Sequence, residues 1–197
     1  MQNQTVLLTG FEPFAGHAAN PSQIIAERLH GETIGGARVV SLVLPVVFGA
    51  DTERVFPAID ELKPAVVLSL GLSAARDCMD VELFGINQRM VEGSSDLIPI
   101  IADGPAAYFA TIDADGVSMA MVETADIPAQ RHGYAGSYLC NHILYQTLHY
   151  AQTQHLPLRA GFIHMPQATE FAAPGAPSLP LESMIAAVRA AIEETLH

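Results

Sequence analysis

The chain has 197 residues and a formal net charge of −12; half of its residues are hydrophobic and only 15% are charged. This length accommodates one domain with a sizeable core, and two full domains would be tight. A surface this acidic repels phosphate backbones, so the composition argues against nucleic acid as a partner.

The sequence also argues against a membrane. No apolar run reaches the roughly 18 residues that cross a bilayer, and MQNQTVLLTG lacks the basic start of a signal peptide. We therefore expect a cytoplasmic protein whose two cysteines, Cys78 and Cys140, stay reduced. The low charged fraction favours a homo-oligomer, because partner subunits would cover part of the apolar surface.

The first 72 residues alternate between strand and helix patterns. We predict strands over 5–10, 37–46 and 65–72, and helices over 22–31 and 50–64. Ser22 is the expected N-cap of the first helix and Gly31 its stop. In the second helix, Pro57 must kink the helix or mark its true start.

The rest of the chain continues this alternation less regularly. We predict a strand over 81–87, a hairpin and long loops within 88–134, a helix over 141–155, a strand over 159–165 and a C-terminal helix over 180–196. Continuous apolar strands between helices indicate a sheet covered on both faces. We therefore predict an α/β fold, a single three-layer α/β/α domain over 1–197 with a mixed, mostly parallel central sheet.

Cys140 stands where a loop of small residues becomes the predicted helix 141–155. A sulfur at a helix N-terminus is stabilised as a thiolate by the free N–H groups and the helix dipole, which favours a nucleophile. The alternative is a buried cysteine that packs as a small apolar group.

A nucleophile needs a base, and His164 is the most suggestive of the eight histidines. It ends the strand 159–165, and ligands of open α/β sheets bind at the carboxyl ends of strands. A satisfied core histidine is the alternative. The spacing does not place His164 near Cys140. The remaining histidines, His132 among them, lie in loops, along the helix or at the terminus.

Glu82 is a carboxylate flanked by apolar residues in the strand 81–87. If it is buried, it needs a partner, and an imidazolium would serve. A strand-edge glutamate facing water is the alternative.

Other signatures are absent from the sequence. It has no Walker loop, no G-x-G-x-x-G, no G-x-S-x-G elbow and no cysteine or histidine cluster with zinc spacing, so we expect neither a nucleotide site nor a metal. Cys78 lies between Asp77 and Asp80, which disfavour a thiolate, and we interpret it as structural.

Four segments resemble the pyroglutamyl peptidase family, the pyrrolidone-carboxylate peptidases. LLTGFEPFAGHAANPS (7–22) resembles its N-terminal signature, VELFGIN (81–87) its glutamate segment, AGSYLCN (135–141) its cysteine segment and GFIHMP (161–166) its histidine segment. The resemblance is collinear over essentially the whole chain.

The resemblance implies a catalytic triad of Cys140 as nucleophile, His164 as base and Glu82 as the residue that orients the base. It implies removal of N-terminal pyroglutamyl residues from peptides through an acyl-enzyme, with no cofactor. It also implies a homo-oligomer, commonly a tetramer, with a dimer as the alternative.

The resemblance further implies that Phe11 and Phe14 form the walls of the substrate pocket. Asn20 would then pair with polar atoms of the substrate ring or fix its loop. Core packing for the two phenylalanines and a helix cap for Asn20 are the alternatives. Pyroglutamate is a flat, uncharged lactam, which suits a mostly apolar pocket.

The sequence departs from the family around this site. In GLSAAR (71–76), Leu72 replaces a glutamine that commonly helps to hold the substrate, whereas Arg76 is retained. Glu92 stands where the family has a supporting arginine, and Arg89 is the nearest arginine that could replace it. The alternatives to a pyroglutamyl peptidase are therefore a homologue with altered acyl specificity and a non-catalytic protein that binds peptides or lactams.

Overall fold

The computed structural model describes residues 4–91 and 93–197 of the chain. Its strands, in chain order, are β1 (Thr5–Phe11), β2 (Thr33–Ile34), β3 (Ala37–Leu44), β4 (Val66–Leu72), β5 (Met79–Ile86), β6 (Arg89–Met90), β7 (Leu97–Ile98), β8 (Ala107–Phe109), β9 (Ala129–Tyr134), β10 (Arg159–Met165), β11 (Gln167–Ala168) and β12 (Ser178–Leu179). Its helices are α1 (Pro21–Leu29), α2 (Ala50–Leu62), α3 (Ala114–Ala125), α4 (Leu139–Thr153) and α5 (Leu181–Glu194).

Eight of these strands form one central sheet in the order β2-β3-β1-β4-β10-β5-β8, with β9 paired to β5 outside this path. The strands β3, β1, β4 and β10 are parallel, whereas β5 runs antiparallel to β10. β1 and β4 are almost entirely buried apolar runs, as expected for parallel strands covered on both faces. The predicted α/β fold with a mixed, mostly parallel sheet is confirmed.

Helices cover both faces of this sheet. α1, α3 and α5 pack on one face, where Ile25, Val117 and Val188 belong to one apolar core. α2 and α4 pack on the other face, where Val55 and Ile143 belong to a second core. Each large side chain buried in this way stabilises the fold by about 1.5–3 kcal/mol. The packed sheet therefore holds the residues at its strand ends in fixed positions.

The helix starts differ from the predicted ones. The N-cap of α1 is Asn20 rather than Ser22, because the Asn20 side chain accepts a hydrogen bond from the Ser22 N–H at 3.0 Å. Pro57 lies inside α2 and does not mark its start. α4 begins at Leu139, two residues before the predicted start, which makes Cys140 a residue of the helix itself.

Residues 88–134 contain more regular structure than we predicted. β6 and β7 form the expected hairpin, but α3 and β9 were predicted as loops, which was wrong. The missed signal for α3 is Asp113, whose carboxylate caps the helix by accepting from the N–H groups of Asp115 and Gly116. Gly116 in the first turn weakens the helical pattern.

The length and apolar character of the helices were compared with those of a membrane-spanning helix. Within the part of the chain that the structure describes, none of them combines the length and the apolar character needed to span a bilayer. The longest, α4, has 15 residues and carries polar side chains along its length.

Candidate active site

The thiol of Cys140 lies at the N-terminal end of α4. Cys140 is the second residue of the helix, after Leu139, and the N-cap Tyr138 makes no side-chain hydrogen bond to the first turn. Just before it, Gly136 turns the chain in a left-handed conformation with φ of 79°. The first-turn N–H groups of a helix have no helical partner, so this end of α4 offers a positive potential to a thiolate.

Cys140 Sγ also lies against the C-terminal end of β4. A Cβ atom placed on Gly71 would come within 2.9 Å of the sulfur. Gly71 is in register with His164 on the neighbouring strand β10. The strand register therefore brings together a thiol and an imidazole that the sequence separates by a whole helix.

The imidazole of His164 is almost fully buried, with 5% of the residue exposed. Its ring packs on Phe162, with 4.7 Å between the ring centroids. Nδ1 lies 2.6 Å from Oε1 of Glu82. Because Nδ1–H donates to this carboxylate, Nε2 is left for Cys140.

The charges around His164 favour its protonated form. Burial alone would lower its pKa, but the nearby charge of Cys140, together with the hydrogen bond to Glu82 and the charge of Glu82, raises the pKa to about 9. At neutral pH the ring is therefore an imidazolium facing the sulfur. An imidazolium of this kind stabilises the thiolate, which is the reactive form of cysteine.

Glu82 is completely buried on β5, which excludes the alternative of a glutamate facing water. Its Oε1 accepts from His164 and from Nη2 of Arg76 at 3.2 Å. Its Oε2 lies 2.8 Å from Nδ1 of His132. A buried carboxylate is stable only with such partners, and one of its partners is the imidazole that faces Cys140.

Arg76 links Glu82 to a second carboxylate, Asp80. The guanidinium pairs with both, and Asp80 also accepts hydrogen bonds from Gln130 at 2.9 Å and from the Cys78 thiol at 3.4 Å. Burial, followed by the nearby charge of Asp80, raises the pKa of the Cys78 thiol to about 11. Cys78 therefore stays a thiol at neutral pH, in agreement with its interpretation as structural.

Sequence analysis missed His132, the second imidazole that contacts Glu82. We placed it in a loop, but it lies on β9, whose parallel register pairs it with Glu82. The signal was weak because the segment AQRHGY is half-exposed and polar and lacks the apolar alternation of a strand.

A small apolar cleft opens beside the thiol. Its lining residues are Phe11, Phe14, Val46, Leu72, Tyr138, Leu139 and Cys140. Phe11 and Phe14 were predicted as walls of the substrate pocket, and Leu72 stands at the position predicted to hold the substrate. Val46, Tyr138 and Leu139 were missed. Leu72 presents only carbon to the cleft, so the lining suits a flat, uncharged group.

Asn20 lies outside this lining and holds the loop that carries Phe11 and Phe14. Its Nδ2 donates to the Glu12 carbonyl oxygen at 3.1 Å, and its Oδ1 accepts from the backbone and the hydroxyl of Ser22. The Ser22 hydroxyl in turn accepts from the Phe11 N–H at 3.0 Å. The carboxamide is thus engaged within the protein, where it fixes the position of the cleft wall.

Arg89, predicted as a possible support of the site, contacts an aromatic neighbour of this cleft. Its guanidinium carbon lies 4.9 Å from the centroid of the Phe48 ring, a cation–π contact. Phe48 packs edge-on against Tyr138, which lines the cleft. Glu92, which stands where the family has an arginine, lies outside the described residues.

A second buried pair stabilises the helices around the site. His142 Nδ1 lies 2.7 Å from Oδ2 of Asp51 on α2, and its ring packs against Phe48. This pair fastens α4 to α2. Across residues 4–91 and 93–197, no three histidine, cysteine, aspartate or glutamate side chains are grouped so as to hold a metal ion.

Asn141 fastens α4 to the strand that carries Glu82, and its removal should destabilise the protein. It is completely buried; its side chain accepts from the Ile86 N–H and donates to the carbonyls of Ile86 and Gln88 at 2.8–2.9 Å. Since these backbone groups would lose their partners, we expect Asn141→Ala to lower the free energy of unfolding by about 2–3 kcal/mol. Urea unfolding measures this.

The control for that experiment is Gln152→Ala, at an exposed position on the same helix. We expect a change within about 0.5 kcal/mol for this control. Equal stability of the two variants would show that Asn141 does not fasten α4 to β5.

Comparison with known proteins identifies the class of this protein as a cysteine peptidase. The family model described as pyroglutamyl peptidase matches residues 4–197. The chain therefore belongs to the pyroglutamyl peptidase family.

Individual relatives agree with this assignment. The pyrrolidone-carboxylate peptidase of Chromobacterium violaceum is 41% identical over 98% of this chain and 93% of the relative. That of Pectobacterium carotovorum is 39% identical with the same coverage. The structure of pyrrolidone carboxyl peptidase from Pyrococcus furiosus superposes with a TM-score of 0.92 at 35% identity, covering 98% of each chain. These similarities support the predicted peptidase and give no support to the two alternatives.

Proposed function

We propose that Cys140, His164 and Glu82 form the catalytic triad of a peptidase that removes pyroglutamyl residues from peptides with a blocked N-terminus. The observation that carries this proposal is the series of contacts from the buried Glu82 carboxylate through His164 to the thiol at the start of α4. It opens on an apolar cleft of suitable character. The proposed reaction needs no cofactor.

In the first half of the reaction, the Cys140 thiolate attacks the carbonyl carbon of the pyroglutamyl residue. The carbonyl becomes a tetrahedral oxyanion, which the free N–H groups at the start of α4 stabilise. His164 then gives its Nε2 proton to the leaving amine, and the C–N bond breaks. The result is a thioester with Cys140 and a neutral His164.

In the second half, water hydrolyses the thioester. His164, now neutral, takes a proton from the water as it attacks the thioester carbonyl. The C–S bond breaks and releases pyroglutamate, which restores the thiolate and the imidazolium. Glu82 stabilises the imidazolium and keeps Nε2 aimed at the reacting atoms in both halves.

The cleft explains why a blocked N-terminus would be preferred. Phe11, Phe14 and Leu72 present apolar surfaces to the cleft. The flat lactam ring can pack against them without the desolvation of a charged group, because it carries no charge. A proline ring has nearly the same shape but carries a protonated amine. Bringing that cation into an apolar cleft costs several kcal/mol.

The test of this proposal compares two matched substrates, the pyroglutamyl and the prolyl amide of the same aminocoumarin fluorophore. We expect kcat/KM to be at least about 10³-fold higher for the pyroglutamyl amide, from the cost of desolvating the prolyl amine. Comparable values for the two amides, with Cys140→Ala inactive on both, would contradict the proposed specificity.

The pH dependence should report the ionisation of His164. Its pKa is raised from 6.5 to about 9, so the imidazolium that protonates the leaving amine persists to that pH. We expect kcat/KM to fall above pH 9, and stability to fall in the same window, because the stabilisation from protonating His164 is complete below pH 6.5 and is lost through pH 9. Activity measured from pH 6 to 11 checks this; a fall centred near pH 6.5 would contradict it.

We also propose the location and the assembly of the protein. We propose that it is cytoplasmic and that it is a homo-oligomer, either a tetramer or a dimer. We propose a single domain, because one sheet contains strands from β1 to β10. Phe109 is 75% exposed on the edge strand β8 and packs against Phe84, and the ring of Tyr134 stacks on Phe84 as well. This exposed aromatic cluster supports a second subunit that covers it. Sedimentation of a monomer would contradict the oligomer.

A further inference from the structure

Glu82 holds two imidazoles at once. Its Oε1 faces His164, and its Oε2 lies 2.8 Å from Nδ1 of His132. The reaction described above uses only the first of these contacts. The second imidazole therefore needs its own explanation.

The position of His132 is set by the sheet. β9 runs parallel to β5, and its register places His132 directly beside Glu82. Its side chain is 38% exposed, whereas that of Glu82 is completely buried. Since the carboxylate accepts, the Nδ1–H of His132 donates to Oε2, and the rest of the ring extends towards solvent.

The geometry points to His132 as a positioning residue, whose Nδ1–H fixes Oε2 of Glu82 so that Oε1 stays directed at His164. This inference rests on the proposed function, because it assigns His132 a part in the same reaction. His132 acts through Glu82 and touches neither the thiol nor the imidazole that transfers the proton.

Arg76 does not replace this contact. Its Nη2 binds Oε1, the oxygen that His164 also needs, and lies 3.5 Å from Nδ1 of His132 rather than on Oε2. Its other nitrogen binds Asp80. The torsion that rotates a glutamate carboxylate is soft. Without a donor on Oε2, the carboxylate is free to turn towards Arg76, and its hydrogen bond to His164 lengthens.

The test separates the hydrogen bond from the bulk of the side chain. His132→Leu keeps an apolar group of similar size but has no donor. His132→Asn keeps a donor, because its amide nitrogen occupies nearly the position of Nδ1. We expect His132→Leu to lower kcat by about 10–100-fold, the loss seen when the hydrogen-bond partner that orients a metal-ligating side chain is removed. His132→Asn should stay within about 3-fold of the wild type.

Two further readouts distinguish positioning from a loss of structure. KM for the pyroglutamyl amide should change less than about 2-fold, because His132 does not line the cleft. The rate at which iodoacetamide labels Cys140 at pH 7.5 should fall about as much as kcat, since a weaker Glu82–His164 contact weakens the thiolate. The control is His30→Leu, an exposed histidine at the end of α1 that bonds to Ser41, and it should leave kcat unchanged.

The inference is overturned if folded His132→Leu keeps the wild-type kcat, or if His132→Asn is as slow as His132→Leu. His132→Ala is a second variant without a donor. If neither His132→Leu nor His132→Ala folds, the inference is also overturned, because His132 is then required for folding. If wild-type protein fails to cleave the pyroglutamyl amide, the proposed function fails; the labelling rates of Cys140 still decide the role of His132.

Discussion

Replacing Glu82 with glutamine should lower kcat for the pyroglutamyl amide by about 10³–10⁴-fold, the order expected when the orienting carboxylate of a catalytic triad becomes an amide. Nδ1–H of His164 would lose its charged acceptor at 2.6 Å, and the amide NH₂ favours the wrong tautomer of the ring. KM should change little, because Glu82 does not line the cleft. Steady-state kinetics on the purified variant measures both constants.

The same variant makes a prediction about pH. Glu82 is one of the groups that raise the pKa of His164 to about 9, so its neutral replacement should move the alkaline fall in kcat/KM to lower pH. The control is Glu61→Gln, the same change at an exposed position on α2. It should alter neither kcat nor the pH at which kcat/KM falls. A Glu82→Gln variant that keeps more than a tenth of the wild-type kcat would contradict the assigned role.

Replacing Gly71 with alanine should damage both the site and the fold. The added Cβ would come within 2.6 Å of Cζ of Phe162 and 2.9 Å of Sγ of Cys140. Phe162 cannot give way freely, because it is fully buried and its ring packs against His164. The partly buried thiol of Cys140 must therefore shift. We expect a loss of about 1–3 kcal/mol in unfolding free energy from overpacking, and a kcat about 10²-fold lower from the displaced thiol.

The matched control is Gly133→Ala on β9. A Cβ there meets no atom of the described residues within 4 Å, and its φ is not in the left-handed region. We expect this variant to keep its stability within about 0.5 kcal/mol. Thermal unfolding and turnover of the two variants are measured side by side, and a Gly71→Ala protein that matches Gly133→Ala in both would contradict the packing described around the thiol.

The regular part of the fold could be predicted because its physical signal is local. The strand over 159–165 has the predicted bounds, and the C-terminal helix differs by a residue or two at each end. Continuous apolar runs and 3.6-residue spacing identify such elements from sequence alone. α3 and β9 were missed because one has a glycine in its first turn and the other is polar and half-exposed.

The site could be predicted as a set of residues but not as an arrangement. Cys140, His164 and Glu82 were each singled out by their own context, whereas their contacts depend on register. The alignment of Gly71 with His164 is fixed by the pairing of β4 with β10, and that of Glu82 with His132 by the pairing of β5 with β9. Pairing is a tertiary property with no local signal, so the role of His132 could not be seen in the sequence.

The most direct test of the central claim is release of aminocoumarin from its pyroglutamyl amide, measured with reductant present for wild-type protein and for Cys140→Ala. The account predicts turnover by the wild type and its loss in the variant, whose thermal unfolding should stay close to that of the wild type. Turnover that survives in Cys140→Ala would contradict the assignment of the nucleophile. No turnover by the intact protein at high concentration would contradict the pyroglutamyl peptidase activity itself.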